Sequence, residues 1–351
     1  MLYTLNNYKS KINNLLLILS INIVQILVLG AGSWGTALAL TLTDNGNKVW
    51  LWSNELAHVQ DMLATGQNAQ FLPNRFPASI KPISDFTEQA KQVENIIVVV
   101  PSHGFRGTLE MLVPNISATA RVCWATKGLE NDTGLLLHQV AEQVLGEDRS
   151  LAVLSGPSFA TEVAKGLPTA VTIATTDESY AKDLVDLFHN DYFRPYTSTD
   201  IIGVQLGGTV KNIMAIASGI VDGLKFGANS RAALITRGLA EMVRFGVALG
   251  GKKETFMGLA GMGDLVLTCT DKLSRNYRFG LALAKGSNVE QAQIDIGQVV
   301  EGVRAAREVN RVAKERGIDM PIVEQVNNVL QGICTPSEAV KTLLSRQPKA
   351  E

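Results

Sequence analysis

Residues 23–35 have the sequence IVQILVLGAGSWG, and this stretch decides the fold. Its first seven residues are an almost unbroken apolar run, which is the pattern of a strand covered on both faces of a parallel sheet. Gly30, Gly32 and Gly35 follow at GxGxxG spacing, and a helical pattern then runs to about residue 45. A second apolar run occupies residues 48–52. A strand, a glycine-rich turn, a helix and a second strand in this order predict a dinucleotide-binding turn.

Each glycine of the turn has its own predicted role. Gly30 makes the tight turn, Gly32 lets the backbone approach a pyrophosphate, and Gly35 allows the helix to pack closely on the strand. The N-terminus of the helix then presents free N–H groups and a positive dipole end to phosphate. The alternative is a glycine-rich turn that binds no ligand.

The end of the second strand leaves the choice of cofactor open. A carboxylate there binds the ribose 2′-hydroxyl of NAD, and a nearby arginine accommodates the 2′-phosphate of NADP. This chain has Trp52-Ser53-Asn54 instead. Ser53 and Asn54 can hydrogen-bond to either group, and Asn54 is equally suited to capping the next helix. The sequence therefore predicts NAD(P) without deciding between NAD and NADP.

The apolar runs predict an α/β region followed by a helical region. Further strands are expected at 95–100, 120–125, 151–154, 170–174 and 193–197. Their alternation with helical patterns is typical of a Rossmann-type, mostly parallel sheet. From residue 204 onward the periodicity is helical, which predicts an all-α C-terminal domain. The helices expected there are 232–249, capped by Asn229-Ser230, then 276–285, 301–316, 321–331 and 336–345, with Pro321 and Pro336 in first turns.

These patterns divide the chain into an N-terminal extension, 1–22, a dinucleotide-binding domain, 23–203, and a helical substrate domain, 204–351. Within the extension, Lys9 and Lys11 precede the apolar run 15–19, as in a signal peptide. No small-residue cleavage site follows, however, and the run leads directly into the first strand. The run is also too short and too interrupted to span a membrane. We therefore expect neither export nor stable membrane insertion.

Composition narrows the class of protein further. The chain has 351 residues, 46% of them hydrophobic, and a net charge of -1, which argues against nucleic-acid binding. Its three cysteines lie far apart in sequence, which fits a reducing cytoplasm without a disulfide framework. The four histidines show no metal-ligand spacing, and only His103 is expected near a cleft.

Several segments place polar residues where a ligand is expected, beyond the carboxyl ends of the strands. They are PSH at 101–103, WATKG at 124–128 and SGPSFA at 155–160. Lys127 leaves a buried strand, so its ammonium group is expected to face the cleft.

The helical region adds two candidate segments. In QLGGTVKN, 205–212, Gly207, Gly208 and Lys211 share one helix face. Glycines inside a helix are destabilising, so a close approach is expected there; the alternative is a helix contact with Lys211 extended into solvent. GMGDLVLT, 261–268, is followed by Ser274-Arg275-Asn276 at a predicted helix start. Charge, amide donors and helix dipole together make a phosphate seat, although an ordinary capped helix has the same pattern.

Taken together, these motifs resemble bacterial NAD(P)-dependent glycerol-3-phosphate dehydrogenases over residues 23 to about 345. The similar stretches are GAGSWGTALA, VVVPSHGF, WATKGLE, LSGPSFATEVAKGLPTAV, GVQLGGTVKNIMAIASG, FGANSRAALITRGLAEM, GLAGMGDLVLTCT, SRNYRFG and GQVVEG. The resemblance implies a cytoplasmic homodimer that interconverts glycerol 3-phosphate and dihydroxyacetone phosphate and supplies phospholipid synthesis. It also implies that the helical domain takes part in dimerisation.

The resemblance assigns roles residue by residue. Lys211 matches the proton acceptor, Lys127 a lysine at both cofactor and substrate, and Asp264 a residue at the reacting centre. The substrate residues it implies are Lys127, Gly156, Ser158, Lys211, Asp264, Ser274, Arg275 and Asn276, to which we add Asn212 and Thr268 from the same stretches. The cofactor residues, including the three glycines of the turn, are Gly30, Gly32, Ser33, Trp34, Gly35, Asn54, Lys127, Ala160, Arg275, Val299 and Glu301. No metal is implied. The chain departs from the family pattern at Asn54, which puts cofactor preference in doubt, and in its N-terminal extension.

The chemistry agrees with these assignments. Oxidation of a secondary alcohol needs a base, and an ordinary lysine, with a pKa of about 10.4, is a poor base at neutral pH. A second cation, Lys127, is expected to lower the pKa of Lys211, and Asp264 to orient it. The alternatives are a β-hydroxyacid dehydrogenase or ketopantoate reductase, which lack the phosphate seat, and a non-catalytic dinucleotide sensor, which needs neither lysine.

Overall fold

The computed structural model describes residues 23–347, and the expectations for residues 1–22 lie outside these described residues. Eight strands form the main sheet: β1 (Gln25–Leu29), β2 (Lys48–Trp52), β5 (Ile80–Ile83), β6 (Asn95–Val98), β7 (Arg121–Trp124), β8 (Leu151–Ser155), β9 (Thr169–Ala174) and β10 (Phe193–Ser198). A separate two-stranded sheet pairs β3 (Gln67–Asn68) with β4 (Leu72–Arg75).

The strand order of the main sheet is β10-β9-β8-β7-β6-β1-β2-β5. All neighbours are parallel except β8 and β9, so the last two strands run in the reverse direction. The chain order changes direction at β1, which lies between β2 and β6. The loops after β1, β6, β7 and β8 therefore meet at one edge of the sheet, where ligands bind in such folds. This confirms the predicted Rossmann-type, mostly parallel architecture.

The helices of the first half cover the sheet. They are α1 (Ser33–Asp44), α2 (Leu56–Thr65), α3 (Thr87–Ala90), α4 (Phe105–Leu112), α5 (Leu137–Leu145), α6 (Ala160–Val163) and α7 (Glu178–Phe188). Buried apolar clusters lie on both faces of the sheet. Strands such as β6 and β8 are buried at every position, which explains their continuous apolar runs.

One strand boundary predicted for the first half is wrong, and three short strands are missed. The strand expected at 95–100 ends at Val98, because Val99 and Val100 already belong to the loop that closes on the glycine-rich turn. Strand β5 was not predicted, because Lys81 and Pro82 break its apolar pattern; proline is tolerated there since β5 is an edge strand. The short pair β3 and β4 was also missed.

The second half is helical, and no strand occurs among the described residues after Ser198. Its helices are α8 (Ile201–Gly223), α9 (Gly227–Ala248), α10 (Lys253–Phe256), α11 (Asp264–Thr270), α12 (Arg275–Ala284), α13 (Val289–Ile296), α14 (Glu301–Glu315), α15 (Pro321–Leu330) and α16 (Pro336–Leu344). A π-helical turn, Leu259–Gly263, leads into α11. The predicted helices end within a residue or two of these bounds, except that α9 begins at Gly227. Asn229 and Ser230 therefore lie inside α9 and do not cap it.

Helix α8 is the centre of this region. It packs against α9, α11, α12 and α14 and against the end of β8. By length and composition α8 is apolar enough to cross a membrane, but 89% of its most apolar window is buried inside the protein. It is therefore the core helix onto which the other helices fold.

Candidate active site

The glycine-rich turn has the geometry that its sequence predicts. Gly30 has φ +120°, and a Cβ there would lie 2.8 Å from the Val99 carbonyl carbon. A Cβ at Gly35 would lie 1.9 Å from the Gly30 carbonyl oxygen, so α1 can approach β1 only with glycine at this position. A Cβ at Gly32 would meet no atom within 4 Å. The space beside Gly32 is thus open to a pyrophosphate, and the residues fit a dinucleotide.

The side chains at the start of α1 differ in accessibility. The hydroxyl of Ser33 donates to the Phe71 carbonyl at 3.0 Å, so its side chain points into the protein. Trp34 is half-buried and packs against the core on one face of the sheet. Ser33 therefore offers its backbone N–H, at a helix N-terminus, to a phosphate.

At the end of β2, the structure distinguishes Ser53 from Asn54, which the sequence leaves equivalent. The hydroxyl of Ser53 is engaged internally with His58 Nδ1 at 3.2 Å and the Glu55 N–H at 3.3 Å. Asn54 is exposed, and Glu55, not Asn54, is the N-cap of α2, so the capping alternative for Asn54 is wrong. Asn54 is therefore the side chain of this pair that faces outward at the strand end.

Two lysines and one carboxylate form the buried centre of the cleft. Lys211 of α8 donates to Asp264 Oδ1 at 2.5 Å and to Thr268 Oγ1 at 2.9 Å. Lys127, from the loop after β7, donates to the other oxygen, Asp264 Oδ2, at 2.8 Å. Lys211 is 7% exposed and Asp264 1%, so Lys211 does not extend into solvent. The structure brings all four predicted residues together.

Burial and charge shift the pKa values of this cluster. Burial lowers the pKa of Lys211 to about 7; Asp264 opposes this shift and Lys127 adds to it. Burial alone would raise the pKa of Asp264, but the two ammonium groups hold it below its ordinary value. Lys211 is therefore able to exchange a proton near neutral pH, and burial contributes more to its shift than the second lysine does.

The glycines of α8 make room for this cluster. A Cβ at Gly207 would lie 2.3 Å from the Ala260 carbonyl oxygen of the π-helical turn. A Cβ at Gly208 would lie 2.7 Å from Ser155 Oγ and 3.4 Å from Lys127 Cδ. The predicted close approach is thus present, and it lets α8 meet both the turn that leads to Asp264 and the stem of Lys127.

Loops after β6 and β7 are bonded to each other and to α8. Thr126 Oγ1 donates to the Val100 carbonyl at 2.7 Å, and the Gly128 N–H donates to Thr209 Oγ1 at 3.1 Å. A Cβ at Gly128 would lie 2.8 Å from Ser102 Cβ. Ser102 lies in the candidate segment 101–103 and Thr209 in the candidate segment 205–212, but the sequence assigns neither residue a role of its own, because nothing local distinguishes their hydroxyl groups from others in a loop or a helix.

The loop after β8 carries three further predicted residues. Gly156 has φ +144°, and a Cβ would lie 3.0 Å from Val171 Cα, so backbone geometry alone requires glycine there. Ser158 is half-buried, and its hydroxyl donates to the Gly156 carbonyl at 3.0 Å. Ala160 is the half-buried first residue of α6.

The N-terminus of α12 carries the three residues of the predicted phosphate seat, Ser274, Arg275 and Asn276. Ser274 is the N-cap, and its hydroxyl accepts the Tyr277 N–H at 3.2 Å. Asn276 Nδ2 donates to Asn212 Oδ1 at 3.0 Å, and Asn276 Oδ1 accepts the Gly302 N–H at 2.9 Å. These bonds leave one amide hydrogen on Asn276 and the hydroxyl hydrogen of Ser274 for a ligand. Because Asn212 follows Lys211 in α8, they also place the seat beside the lysine cluster.

Arg275 and the start of α14 complete this side of the cleft. The half-buried Arg275 guanidinium donates to the Val299 carbonyl at 3.5 Å, while the Val299 side chain is exposed. Burial raises the pKa of Glu301 to about 7, opposed by the charge of Arg275 and a hydrogen bond from Ser102. Glu301 therefore links the helical region to the loop after β6.

Comparison with known proteins matches both halves of the chain. Residues 25–181 match the family described as the NAD-dependent glycerol-3-phosphate dehydrogenase N-terminus, and residues 200–341 match the corresponding C-terminus. A protein of Methylococcus capsulatus named glycerol-3-phosphate dehydrogenase [NAD(P)+] is 52% identical over 328 residues, covering 93% of this chain and 98% of the relative.

Solved structures agree with this similarity. The crystal structure of a glycerol-3-phosphate dehydrogenase from Coxiella burnetii is 50% identical, with a TM-score of 0.90, and covers 92% of this chain and 99% of that chain. A ketopantoate reductase from Ralstonia eutropha is 17% identical, with a TM-score of 0.59, and covers 90% of this chain and 100% of that chain. The second likeness is one of fold alone.

Proposed function

Because this chain belongs to the NAD-dependent glycerol-3-phosphate dehydrogenase family, we propose that it is an NAD(P)-dependent oxidoreductase acting on sn-glycerol 3-phosphate and dihydroxyacetone phosphate. The observation that carries the proposal is the buried cluster of Lys211, Asp264 and Lys127 at the ligand edge of the sheet. A non-catalytic dinucleotide sensor needs no such cluster.

Lys211 is the proposed acid–base group. Its Nζ takes the proton of the C2 hydroxyl as hydride leaves C2, and in the reverse direction it gives a proton to the ketone oxygen. The nicotinamide, when bound, accepts or delivers that hydride. The low pKa of Lys211 suits both directions, because burial brings it towards the range in which an amine can both give and take a proton at neutral pH.

Asp264, Thr268 and Lys127 support this step. Asp264 and Thr268 hold the Lys211 ammonium in one orientation, which places it for proton transfer. Lys127 is bonded to the same carboxylate and comes from the loop after β7. We assign it contacts to both substrate and cofactor, with its charge favouring the developing alkoxide.

The substrate phosphate is assigned to the N-terminus of α12. Arg275 supplies a charge, and Ser274 and Asn276 supply donors at the positive end of the helix dipole. Asn212 supports Asn276, and we assign further substrate contacts to Gly156 and Ser158 in the loop after β8. A phosphate held there puts C2 near Lys211, because only one carbon, C3, separates C2 from the phosphate ester oxygen.

The cofactor is assigned to the ligand edge of the sheet. Gly30, Gly32 and Gly35, with the start of α1 at Ser33 and Trp34, would hold the pyrophosphate, and Asn54 would meet the adenosine ribose. Lys127, Ala160, Arg275, Val299 and Glu301 would line the remaining path towards the nicotinamide. The neutral Asn54 leaves NAD and NADP both acceptable.

The similarity to glycerol-3-phosphate dehydrogenases supports a proposal for the cellular role. We propose a cytoplasmic homodimer that supplies glycerol 3-phosphate for phospholipid synthesis, with residues 23–203 as the dinucleotide-binding domain and 204–351 as the substrate and dimerisation domain.

The test is loss of NADPH absorbance with dihydroxyacetone phosphate, repeated with NADH and with the Lys211→Ala variant. Lys182→Ala, an exposed lysine on α7, is the control. We expect turnover in the wild type and the control and its collapse in Lys211→Ala. Absence of turnover with both cofactors would contradict the assignment and direct the search to ketopantoate and 3-hydroxyacids. Full activity of Lys211→Ala would keep the substrate but move the acid–base role to Lys127.

A further inference from the structure

A buried chain of hydrogen-bonded polar side chains lies directly beneath the glycine-rich turn. Asn68 of β3 is fully buried. Its Nδ2 donates to the Ala31 carbonyl at 2.8 Å and to Thr36 Oγ1 at 2.8 Å. Ala31 lies between Gly30 and Gly32, and Thr36 is in the first turns of α1. One amide group therefore joins the turn to the helix that follows it.

The other end of the Asn68 amide fixes a histidine. Asn68 Oδ1 can only accept, so the hydrogen of their 2.9 Å bond is on His58 Nε2. His58 Nδ1 then accepts from Ser53 Oγ at 3.2 Å. All three side chains are buried. The chain of bonds thus runs from the end of β2, beside Asn54, to the glycine-rich turn.

A second contact joins the same segment to the turn. The Ser33 hydroxyl donates to the Phe71 carbonyl at 3.0 Å, and the Phe71 ring packs edge-on against His58 with centroids 5.2 Å apart. Residues 67–71 therefore hold the turn at two points, Ala31 and Ser33.

The bond to Ala31 has a geometric consequence for the next residue. In a trans peptide the carbonyl and the following N–H point in opposite directions, and no cis peptide occurs in the described residues. Since Asn68 holds the Ala31 carbonyl towards the interior, the Gly32 N–H points outward. It points away from Asn68, to the side of the turn on which the pyrophosphate is assigned.

We propose that Asn68 is a positioning residue for the cofactor: through the Ala31 carbonyl it directs the Gly32 N–H at the pyrophosphate, and His58 and Ser53 hold Asn68 in that orientation. This rests on the proposed NAD(P) site, but not on the identity of the substrate. Without Asn68, the Ala31 carbonyl loses a buried hydrogen-bond partner that water cannot replace without cost. The peptide between Ala31 and Gly32 is then no longer held in one orientation and is free to rotate.

The experiment compares Asn68→Ala with Asn47→Ala in the full-length protein. Asn47 is also a buried asparagine, and it donates to the Leu42 carbonyl at 3.0 Å near the C-terminal end of α1. NADPH and NADH binding are measured directly by fluorescence titration, with melting temperature and kcat measured beside them.

For Asn68→Ala we expect the Kd of the tighter-binding cofactor to rise about tenfold, which is about 1.4 kcal/mol, while kcat at saturating cofactor stays within twofold. Asn47→Ala is expected to lower the melting temperature but to change Kd less than twofold. A Kd within twofold of wild type for Asn68→Ala, or equal rises in both variants, would overturn the proposal.

His58 provides the second test if Asn68→Ala does not fold. His58→Gln retains an amide donor for Asn68 Oδ1, whereas His58→Leu does not. We expect His58→Leu to raise the Kd for the cofactor and His58→Gln to keep it near the wild-type value. Identical Kd values for the two variants would contradict the proposal that His58 holds Asn68 in its orientation. A wild type that binds neither cofactor would also overturn it. A wild type that binds NADPH but does not reduce dihydroxyacetone phosphate would contradict only the substrate assignment.

Discussion

At the scale of single residues, the chemistry depends on one carboxylate that holds two ammonium groups. Lys211 alone, buried in this cleft, would lose its proton well below the ordinary lysine pKa. Asp264 limits that loss and Lys127 promotes it, so the pKa of about 7 is the result of opposing influences. The same bonds fix the direction in which Lys211 transfers its proton.

The pH dependence of the two reaction directions should be opposite. Reduction of the ketone needs protonated Lys211, so kcat/KM for dihydroxyacetone phosphate should fall as pH rises through about 7. Oxidation of glycerol 3-phosphate needs the neutral amine, so its kcat/KM should rise over the same range. Initial rates measured between pH 5.5 and about 9, around the lysine pKa, test this. Profiles that rise together would contradict the assignment of Lys211.

Variants of the two partners should move these midpoints in opposite directions. Asp264→Asn removes the charge that raises the pKa of Lys211, so the residual activity should have a midpoint roughly 1 pH unit lower. Lys127→Met removes a cation that lowers it, so its midpoint should lie higher. Measured kcat/KM profiles of both variants decide; shifts of the same sign would show that their charges do not act on Lys211.

At the scale of elements, α8 positions the site by fitting its glycines against neighbouring backbone. Gly207→Ala should lower the free energy of unfolding by roughly 1–3 kcal/mol, because its Cβ meets the rigid Ala260 carbonyl. Gly208→Ala should be milder in stability, since Ser155 Oγ can rotate, and should leave kcat nearly unchanged, because a Cβ 3.4 Å from Lys127 Cδ makes an ordinary van der Waals contact. Urea denaturation measures the change in the free energy of unfolding for each variant, and steady-state kinetics measures kcat. Ala217→Gly in the same helix is the propensity control, with an expected loss of roughly 1 kcal/mol.

The start of α15 depends on a carboxylate from another helix. Glu241 of α9 is buried and accepts the N–H groups of Ile322 at 2.7 Å and Val323 at 3.2 Å. Glu241→Ala should therefore lower the free energy of unfolding by roughly 1–3 kcal/mol while kcat is unchanged. Glu254→Ala, at an exposed position of α10, is the control and should change stability by less than about 0.5 kcal/mol. Equal denaturation midpoints for the two variants would contradict the capping role.

Across the whole chain, the sequence predicts features whose residues lie close together in sequence better than features that depend on distant partners. Both halves of the fold follow from local patterns, because buried parallel strands are continuous apolar runs and the helical segments show helical periodicity. Strand β5 is missed because an edge strand tolerates proline. Asn68 and Glu241 are missed because their partners lie on other elements, which no local period records.

The cleft is also a feature that local patterns do not predict, because it is formed where the two halves of the chain meet. Lys127 and Lys211 come from different halves and share one carboxylate, and Arg275 lies at the junction of α12 with the segment before α14. Substrate and cofactor are therefore expected to share residues and not to occupy independent domains.

Arg275→Met tests whether the two ligands share this junction. Loss of a charge-assisted contact should lower kcat/KM for dihydroxyacetone phosphate roughly 10–100-fold, and the KM for the cofactor should rise as well, because the assigned phosphate seat borders Val299 and Glu301. Arg278→Met, an exposed arginine on the same helix, should leave both constants within twofold. If Arg275→Met lowers kcat/KM for dihydroxyacetone phosphate but leaves the KM for the cofactor unchanged, Arg275 contacts the substrate phosphate and not the cofactor. The helical region would then contact the cofactor only through Val299 and Glu301.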